Sequence, residues 1–302
     1  MRISLAANII KFLLRFPPRK LMAKKFSLKH ATLNIIEMLW ALSRHKKPLF
    51  RYGLKSEKFT PRGVLCEWLY RNPKQKKKVI FYLHGGAYLS GGISHARNRS
   101  MKYALHSSAS VFAADYRTSA VKPFPAALRD SFNAYKFLTE LAPDSKIIVI
   151  GDSAGGGLAL STVRLAVKNG LKLPEKIILN SPWTDLTCKS RSFKSKQASD
   201  VVLQGGYLKH CARLYGGKNL NNPLISPIFL DYKGFPPIVI NVGTDEILLD
   251  DSVNAAKKAA RQGVSVKLRV WDGMFHMFHY CEDLMPESRS VCHEIYGEID
   301  DI

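Results

Sequence analysis

The stretch Gly151-Asp152-Ser153-Ala154-Gly155 decides how this chain is read. Before it, Lys146-Ile147-Ile148-Val149-Ile150 is a β-branched run with the character of a buried strand. After it, Gly156-Gly157-Leu158-Ala159-Leu160 opens a helix-like segment. A G-x-S-x-G pattern alone turns up by chance in many sequences. Between a buried strand and a helix it predicts a sharp turn, with glycines where side chains would not fit and a serine hydroxyl lifted clear of the sheet. Ser153 is therefore a candidate nucleophile, and the rest of a site is sought around it.

A serine hydroxyl attacks well only when a base takes its proton and a third group orients that base. In the strand–turn–helix setting the acid and then the histidine follow the serine in the chain. His210, His276, His279 and His293 all follow. Val264-Ser265-Val266-Lys267-Leu268-Arg269-Val270 alternates like a last strand, and Trp271-Asp272-Gly273-Met274-Phe275-His276 puts His276 in the loop beyond it. Parallel sheets keep their chemistry at such strand ends. His279 and His293 fall in the next helical segment and read as surface or partly packed residues. For the acid, Pro237-Ile238-Val239-Ile240-Asn241-Val242-Gly243 reads as a buried strand followed by Asp245, Glu246, Asp250 and Asp251. The last two precede an Ala-rich helix, where acids cap the N-terminus. Residue types alone leave Asp245 and Glu246 equally placed.

Further upstream, Lys78-Val79-Ile80-Phe81-Tyr82-Leu83 ends in His84-Gly85-Gly86-Ala87. A glycine-rich loop after an early strand, paired with the Ser153 turn, supplies backbone N–H donors to a developing oxyanion. Gly85, Gly86, Ala87 and Ala154 are the candidates.

These motifs together resemble the hormone-sensitive-lipase-like group of α/β-hydrolase carboxylesterases. The resemblance spans roughly 79–276 and includes Asp115-Tyr116-Arg117, Phe124-Pro125-Ala126-Ala127-Leu128 with Asp130, Ser181-Pro182-Trp183-Thr184-Asp185-Leu186-Thr187, Ser226-Pro227 and Gly273-Met274-Phe275-His276. Laid without a gap, the family's acid pattern falls on Glu246, followed by Ile247, Leu248, Leu249, Asp250 and Asp251, with Asp245 as runner-up. Two positions depart from the family. Ala87 stands at the third glycine of the oxyanion motif, and Thr118-Ser119-Ala120-Val121 replaces Leu-Ala-Pro-Glu, which leaves the partner of Arg117 open. The family position also places Tyr88, Trp183 and Phe275 either at the pocket wall or in the core. His84 reads as a brace for its loop and not as a catalyst.

Strand-like runs at 79–83, 111–115, 146–150, 176–180, 237–243 and 264–270 alternate with helical patterns, which predicts an α/β fold: a mostly parallel central sheet with helices on both faces. The core is expected at 51–187 and 223–302. The resemblance implies a helical cap built from 1–50 and 188–222. Apolar residues recur at helical spacing before Pro17-Pro18 and again over 31–43, where Ile35, Ile36, Met38, Leu39 and Trp40 fall.

The chain has 302 residues and a formal net charge of +22. Its first 78 residues hold twenty Lys and Arg against three Glu. A basic amphipathic N-terminus reads either as a solvated face or as a surface that meets an anionic membrane from one side. No nucleic-acid motif is present and no nucleic-acid partner is expected. The apolar run Ile3–Ile10 is short and meets Lys11, without a small-residue cleavage site after it. Five scattered cysteines suggest no disulfide framework and no metal spacing. The expected setting is cytoplasmic, at most peripheral to the inner membrane surface. The expectation is a serine carboxylesterase for short- to medium-chain esters, with Ser153, Glu246 and His276 as its triad and no metal or organic cofactor. An amidase or deacetylase on the same triad, and a non-catalytic ligand-binding relative, are the alternatives. The partner is a small-molecule ester; monomer and homodimer stay open.

Overall fold

The computed structural model describes residues 3–15 and 49–302. Its strands are β1 Lys55–Phe59, β2 Cys66–Tyr70, β3 Lys78–Leu83, β4 Ser110–Ala114, β5 Lys146–Asp152, β6 Lys176–Asn180, β7 Ile238–Gly243 and β8 Val266–Trp271. They form one eight-stranded sheet in the order β1-β2-β4-β3-β5-β6-β7-β8. From β4 across to β8 every neighbouring pair is parallel, and β1 and β2 join the β4 edge antiparallel. The helices are α1 Leu5–Arg15, α2 Ile93–His106, α3 Ala126–Leu141, α4 Ala154–Lys168, α5 Arg191–Ser195, α6 Gly205–Gly216, α7 Leu249–Arg261 and α8 Pro286–Asp300.

The central strands are apolar throughout because helices cover both faces. Successive residues of a strand point to opposite sides. Phe81 meets Tyr135 of α3 with ring centroids 5.4 Å apart, while its neighbour Tyr82 meets Tyr103 of α2 at 5.8 Å. On the Phe81 side, α3 and α4 are stitched by Ser131 and Thr162, whose hydroxyls lie 2.7 Å apart. On the Tyr82 side, α2 packs on α8 through Tyr103 and Tyr296 at 6.2 Å.

Two strands do not stand out as apolar runs. In β1, Lys-Ser-Glu-Lys-Phe is the charged edge of the sheet, with one neighbour only; charge on an edge strand blocks further pairing. In β2, Glu67 is buried and breaks the pattern, and its carboxylate is met by Ser56 Oγ at 2.7 Å and by Arg97 Nε and Nη2 at 3.0 and 2.6 Å.

Segment 188–222 is seated on the loops beyond β3 and β7. Ser192 donates from its N–H to Asp250 (2.7 Å) and from its hydroxyl to the Ile247 carbonyl (2.8 Å), while Tyr215 of α6 stacks on Tyr88 at 3.8 Å. Helix α1 lies beside them: Lys11 pairs with Asp245 and donates to the Gly273 carbonyl at 3.1 Å, and Arg15 reaches the Ala198 carbonyl at 2.8 Å. Pro17-Pro18 and the pattern over 31–43 lie outside the described residues.

Candidate active site

Ser153 is the joint between β5 and α4, with φ 55° and ψ −118°. An L-residue there is strained by roughly 1–3 kcal/mol and persists only where its surroundings hold it. They do: Ser153 N–H donates to the Asn180 carbonyl at 2.9 Å, and the Ser153 carbonyl accepts from Trp183 N–H at 2.9 Å. Gly155 is obligatory, because a Cβ there would run into the carbonyl oxygens of Leu83 and His84 at the end of the adjacent strand.

His276 lies in the loop after β8, and its Nε2 is 2.9 Å from Ser153 Oγ. Its Nδ1 is 2.8 Å from Glu246 Oε2. The other oxygen, Oε1, accepts from Gly243 N–H and from Ser181 Oγ, each at 2.7 Å. In the tautomer that donates from Nδ1 to the carboxylate, Nε2 accepts from Ser153. Glu246 and His276 are both buried. Asp245 is turned away, and its carboxylate pairs with Lys11 at 2.5 Å. The structure thus joins Ser153, His276 and Glu246 in one hydrogen-bonded chain and leaves Asp245 outside it. Asp251, expected to cap α7, instead accepts from the N–H groups of Thr184 and Asp185 at 2.8 and 2.7 Å.

The loop after β3 rests on the elbow. A Cβ on Gly85 would lie 3.2 Å from Ser153 Cβ and 3.1 Å from the Asp152 carbonyl. Gly86, Ala87 and Tyr88 then run through φ 123°, 53° and 59°. Ala87 adopts the left-handed conformation that glycine adopts more easily, at a cost of about 1 kcal/mol. His84 braces the loop. Its Nδ1 is 2.7 Å from the Gly85 carbonyl, its ring stacks on Tyr116 at 4.2 Å, and Tyr116 donates to the His84 carbonyl at 2.6 Å. Burial pushes the His84 pKa down to about 4, so its ring is neutral. Ala154 begins α4, where the first N–H groups have no carbonyl within the helix. Arg117 pairs with Asp130 through Nε at 2.8 Å and Nη2 at 2.7 Å, which supplies the partner that Thr118–Val121 left open. Tyr88, Trp183 and Phe275 are all buried.

A polar layer lies under the elbow on the α2 face. Asp152, Asn180 and Asn241 are register partners on β5, β6 and β7. Asn180 Nδ2 donates to Asp152 Oδ1 and Asn241 Nδ2 to Asn180 Oδ1, each at 2.9 Å. Asp152 Oδ2 accepts from Tyr82 and Tyr280 at 2.6 and 3.0 Å. Burial disfavours the Asp152 charge, yet the His279 ring and the bonds from Tyr82 and Asn180 outweigh it and hold the carboxyl at about 2. His279 departs from its expected place. It sits in a 3₁₀ turn, Phe278–Cys281, and is buried with Nε2 3.5 Å from Asp152; only His293 lies on the following helix, exposed. The signal missed was the apolar setting of His279, flanked by Phe278 and Tyr280.

Asp200 was also missed. It is buried in segment 188–222, where its Oδ1 accepts from Val202 and Leu203 N–H at 2.9 and 2.8 Å. Its Oδ2 accepts at 2.9 Å from Ile247 N–H, the residue after Glu246. The local half is a familiar Asp turn; the half that grips the acid loop spans 47 residues of sequence and leaves no local trace.

Comparison with known proteins agrees with this geometry. A family model described as the alpha/beta hydrolase fold matches residues 80–280. The chain is 35% identical over 226 residues to an acetyl-hydrolase of Streptomyces hygroscopicus, covering 74% of this chain and 75% of that one. It is 32% identical over 222 residues to an esterase of Acinetobacter venetianus, covering 72% and 73%. The crystal structure of an esterase from the bacterial hormone-sensitive lipase family superposes with a TM-score of 0.87 at 30% identity, over 100% of this chain and 99% of that one. The esterase EstE5 superposes with a TM-score of 0.85 at 32% identity, over 99% and 98%. The chain belongs to the α/β-hydrolase family, in its hormone-sensitive-lipase-like group, and is a carboxylic ester hydrolase.

Proposed function

We propose that this enzyme is a serine carboxylesterase for short- to medium-chain esters, working through an acyl-enzyme on Ser153. The observation that carries the reading is the continuous chain Ser153 Oγ–His276 Nε2 at 2.9 Å and His276 Nδ1–Glu246 Oε2 at 2.8 Å. Ser153 attacks the ester carbonyl carbon as its proton passes to His276 Nε2. The N–H groups of Gly86, Ala87 and Ala154 hold the oxyanion, and Gly85 lets the loop approach. The tetrahedral adduct expels the alcohol, which takes the proton from His276. Water then gives a proton to His276 and attacks the acyl-enzyme; the second tetrahedral adduct expels Ser153 Oγ, which takes that proton back as the acid is released. Glu246 keeps the imidazole in the tautomer that accepts from serine and stabilises the imidazolium that forms. The acetyl-hydrolase of Streptomyces hygroscopicus supports a small acyl group.

The test uses p-nitrophenyl butyrate, the ester soaked into EstE5 crystals. Ser153→Ala is expected to abolish turnover and the rapid first release of p-nitrophenol. Mass spectrometry of wild type with a serine-directed phosphonate should show one adduct, on Ser153. Turnover by Ser153→Ala, or an adduct elsewhere, refutes the reading.

A further inference from the structure

Helix α1 has two apolar faces. Ala7, Ile10 and Leu14 are buried and pack inward. Leu5, Ile9 and Leu13 point out, 76%, 50% and 41% exposed. Positions 5, 9 and 13 follow one another at i, i+4 spacing on one side of a helix, so these three make a continuous stripe. Single exposed apolar residues are ordinary, whereas a contiguous stripe marks a contact. Lys11 and Arg15 lie on a third side and fasten α1 to Asp245, Gly273 and Ala198.

The neighbouring surface is strongly positive. Segment 188–222 contains seven Lys and Arg and a single acid, Asp200. Asp200 is buried, while Lys189, Arg191 and Lys194 are exposed. Arg15 of α1 touches this segment directly, at the Ala198 carbonyl. An apolar stripe beside a cationic surface matches one environment in particular: the interface of an anionic bilayer, apolar below and negative above. A helix of 11 residues is about 16 Å long, too small a strip for a protein partner that needs about 800 Å² a side. Nucleic acid would use the cations and leave the stripe in water. Among the described residues no helix is long and apolar enough to cross a membrane, so the contact is one-sided.

We propose that the outer stripe of α1 and the cations of segment 188–222 dock this enzyme on an anionic lipid surface, with α1 lying in the interface. The Lys11 side of the same helix is bonded to the loops that carry Glu246 and His276. Docking therefore sets the site beside the membrane, where esters partition. The docking is independent of the hydrolytic mechanism, so either reading can fail alone.

The test is sedimentation of the full chain with vesicles of phosphatidylcholine, alone or mixed with phosphatidylglycerol. Binding is expected to the mixed vesicles only. Leu5→Ser with Ile9→Ser should weaken partitioning roughly a hundredfold. Lys189→Gln, Arg191→Gln and Lys194→Gln together should weaken it by a similar factor at low salt, about fivefold per cation. Both variants are at exposed positions and should keep the wild-type thermal midpoint, which separates lost docking from lost fold. The proposal is overturned if wild type ignores mixed vesicles at low salt. It is equally overturned if the Leu5/Ile9 variant binds like wild type and duplex DNA displaces both, for then the contact is a polyanion effect alone.

Discussion

Replacing Glu246 by Gln separates the two neighbouring acids and tests how the imidazole is oriented. The replacement keeps size and shape, so its effect is read from hydrogen-bond polarity. Glu246 Oε1 faces Gly243 N–H at 2.7 Å, a group that can only donate. The amide oxygen of Gln must therefore take the Oε1 position, and its NH₂ falls where Oε2 was, 2.8 Å from His276 Nδ1. Two donors then face each other unless the imidazole moves its proton to Nε2. In that tautomer Nε2 donates to Ser153 Oγ and cannot take the serine proton. Ser181 offers no escape, because its hydroxyl can rotate whereas the Gly243 N–H cannot. A triad held in the wrong tautomer loses about 10⁴-fold in kcat, or about 5.5 kcal/mol of transition-state stabilisation.

Asp245→Asn is the matched control. It disturbs an ion pair with Lys11 in which both side chains are about one-fifth exposed, 19% and 21%. Such a pair is worth at most about 1 kcal/mol of stability. Its effect on kcat should stay within about twofold. The assay is the initial rate on p-nitrophenyl butyrate at saturation, with far-UV circular dichroism to show that both variants are folded. Equal losses in the two variants, or a larger loss in Asp245→Asn, would refute the polarity argument and the place of Glu246 in it.

Asp200→Asn should cost about 2 kcal/mol of stability, because one of its three N–H partners then faces an NH₂ group in a buried site. Thermal or urea unfolding checks this, and an unchanged midpoint counts against the grip on Ile247. Glu282 predicts acid sensitivity: burial raises its pKa, but Arg99 and Lys102 outweigh that and hold it at about 2, against an ordinary 4.5. A depressed carboxyl stabilises the fold above its unfolded pKa, and that contribution is lost as pH falls from about 4.5 towards 2. The loss amounts to about 3 kcal/mol at most. Unfolding free energies across that range should fall steeply in wild type and less steeply in Glu282→Gln; parallel curves would sink the assignment.

Much of this architecture is written in short-range patterns. The apolar runs of β3 to β7 are readable because the sheet is covered on both faces, so no polar side is needed, while β8 at the edge shows by its alternation. Ser153 and the His84 loop are readable because tight turns demand particular residues at particular places. Asp245 and Glu246 are different. Both occupy the exit of β7, and only the path of a loop decides which carboxylate meets His276 and which meets Lys11. Asp200 and His279 are opaque for the same reason, since their partners are set by packing between distant segments. β1 and β2 stay hidden because an edge strand and a buried Glu67 break the apolar pattern that betrays the others.

The strand exits suggest why the catalytic geometry survives so much local strain. Ser153 and Ser181 leave adjacent strands with φ 55° and 48°. Neither is a glycine, and neither conformation is favourable in isolation. Each is held by one bond that continues the sheet past its last rung: Ser153 N–H to the Asn180 carbonyl at 2.9 Å, and Ser181 N–H to the Asn241 carbonyl at 2.7 Å. The next strand over repeats the pattern in another form, with Gly243 N–H turned to Glu246. Ser153, Ser181 and Glu246 are thereby indexed to β5, β6 and β7 in turn. Their side chains then close the circuit, since Ser181 donates to Glu246 and Glu246 meets His276. The position of Ser153 relative to His276 is thus a property of strand register, and the polar layer of Asp152, Asn180 and Asn241 locks that register from below. A one-residue slip of β6 would break the Ser153–Asn180 and Ser181–Asn241 bonds at once, and the matched polar residues on three neighbouring strands oppose such a slip.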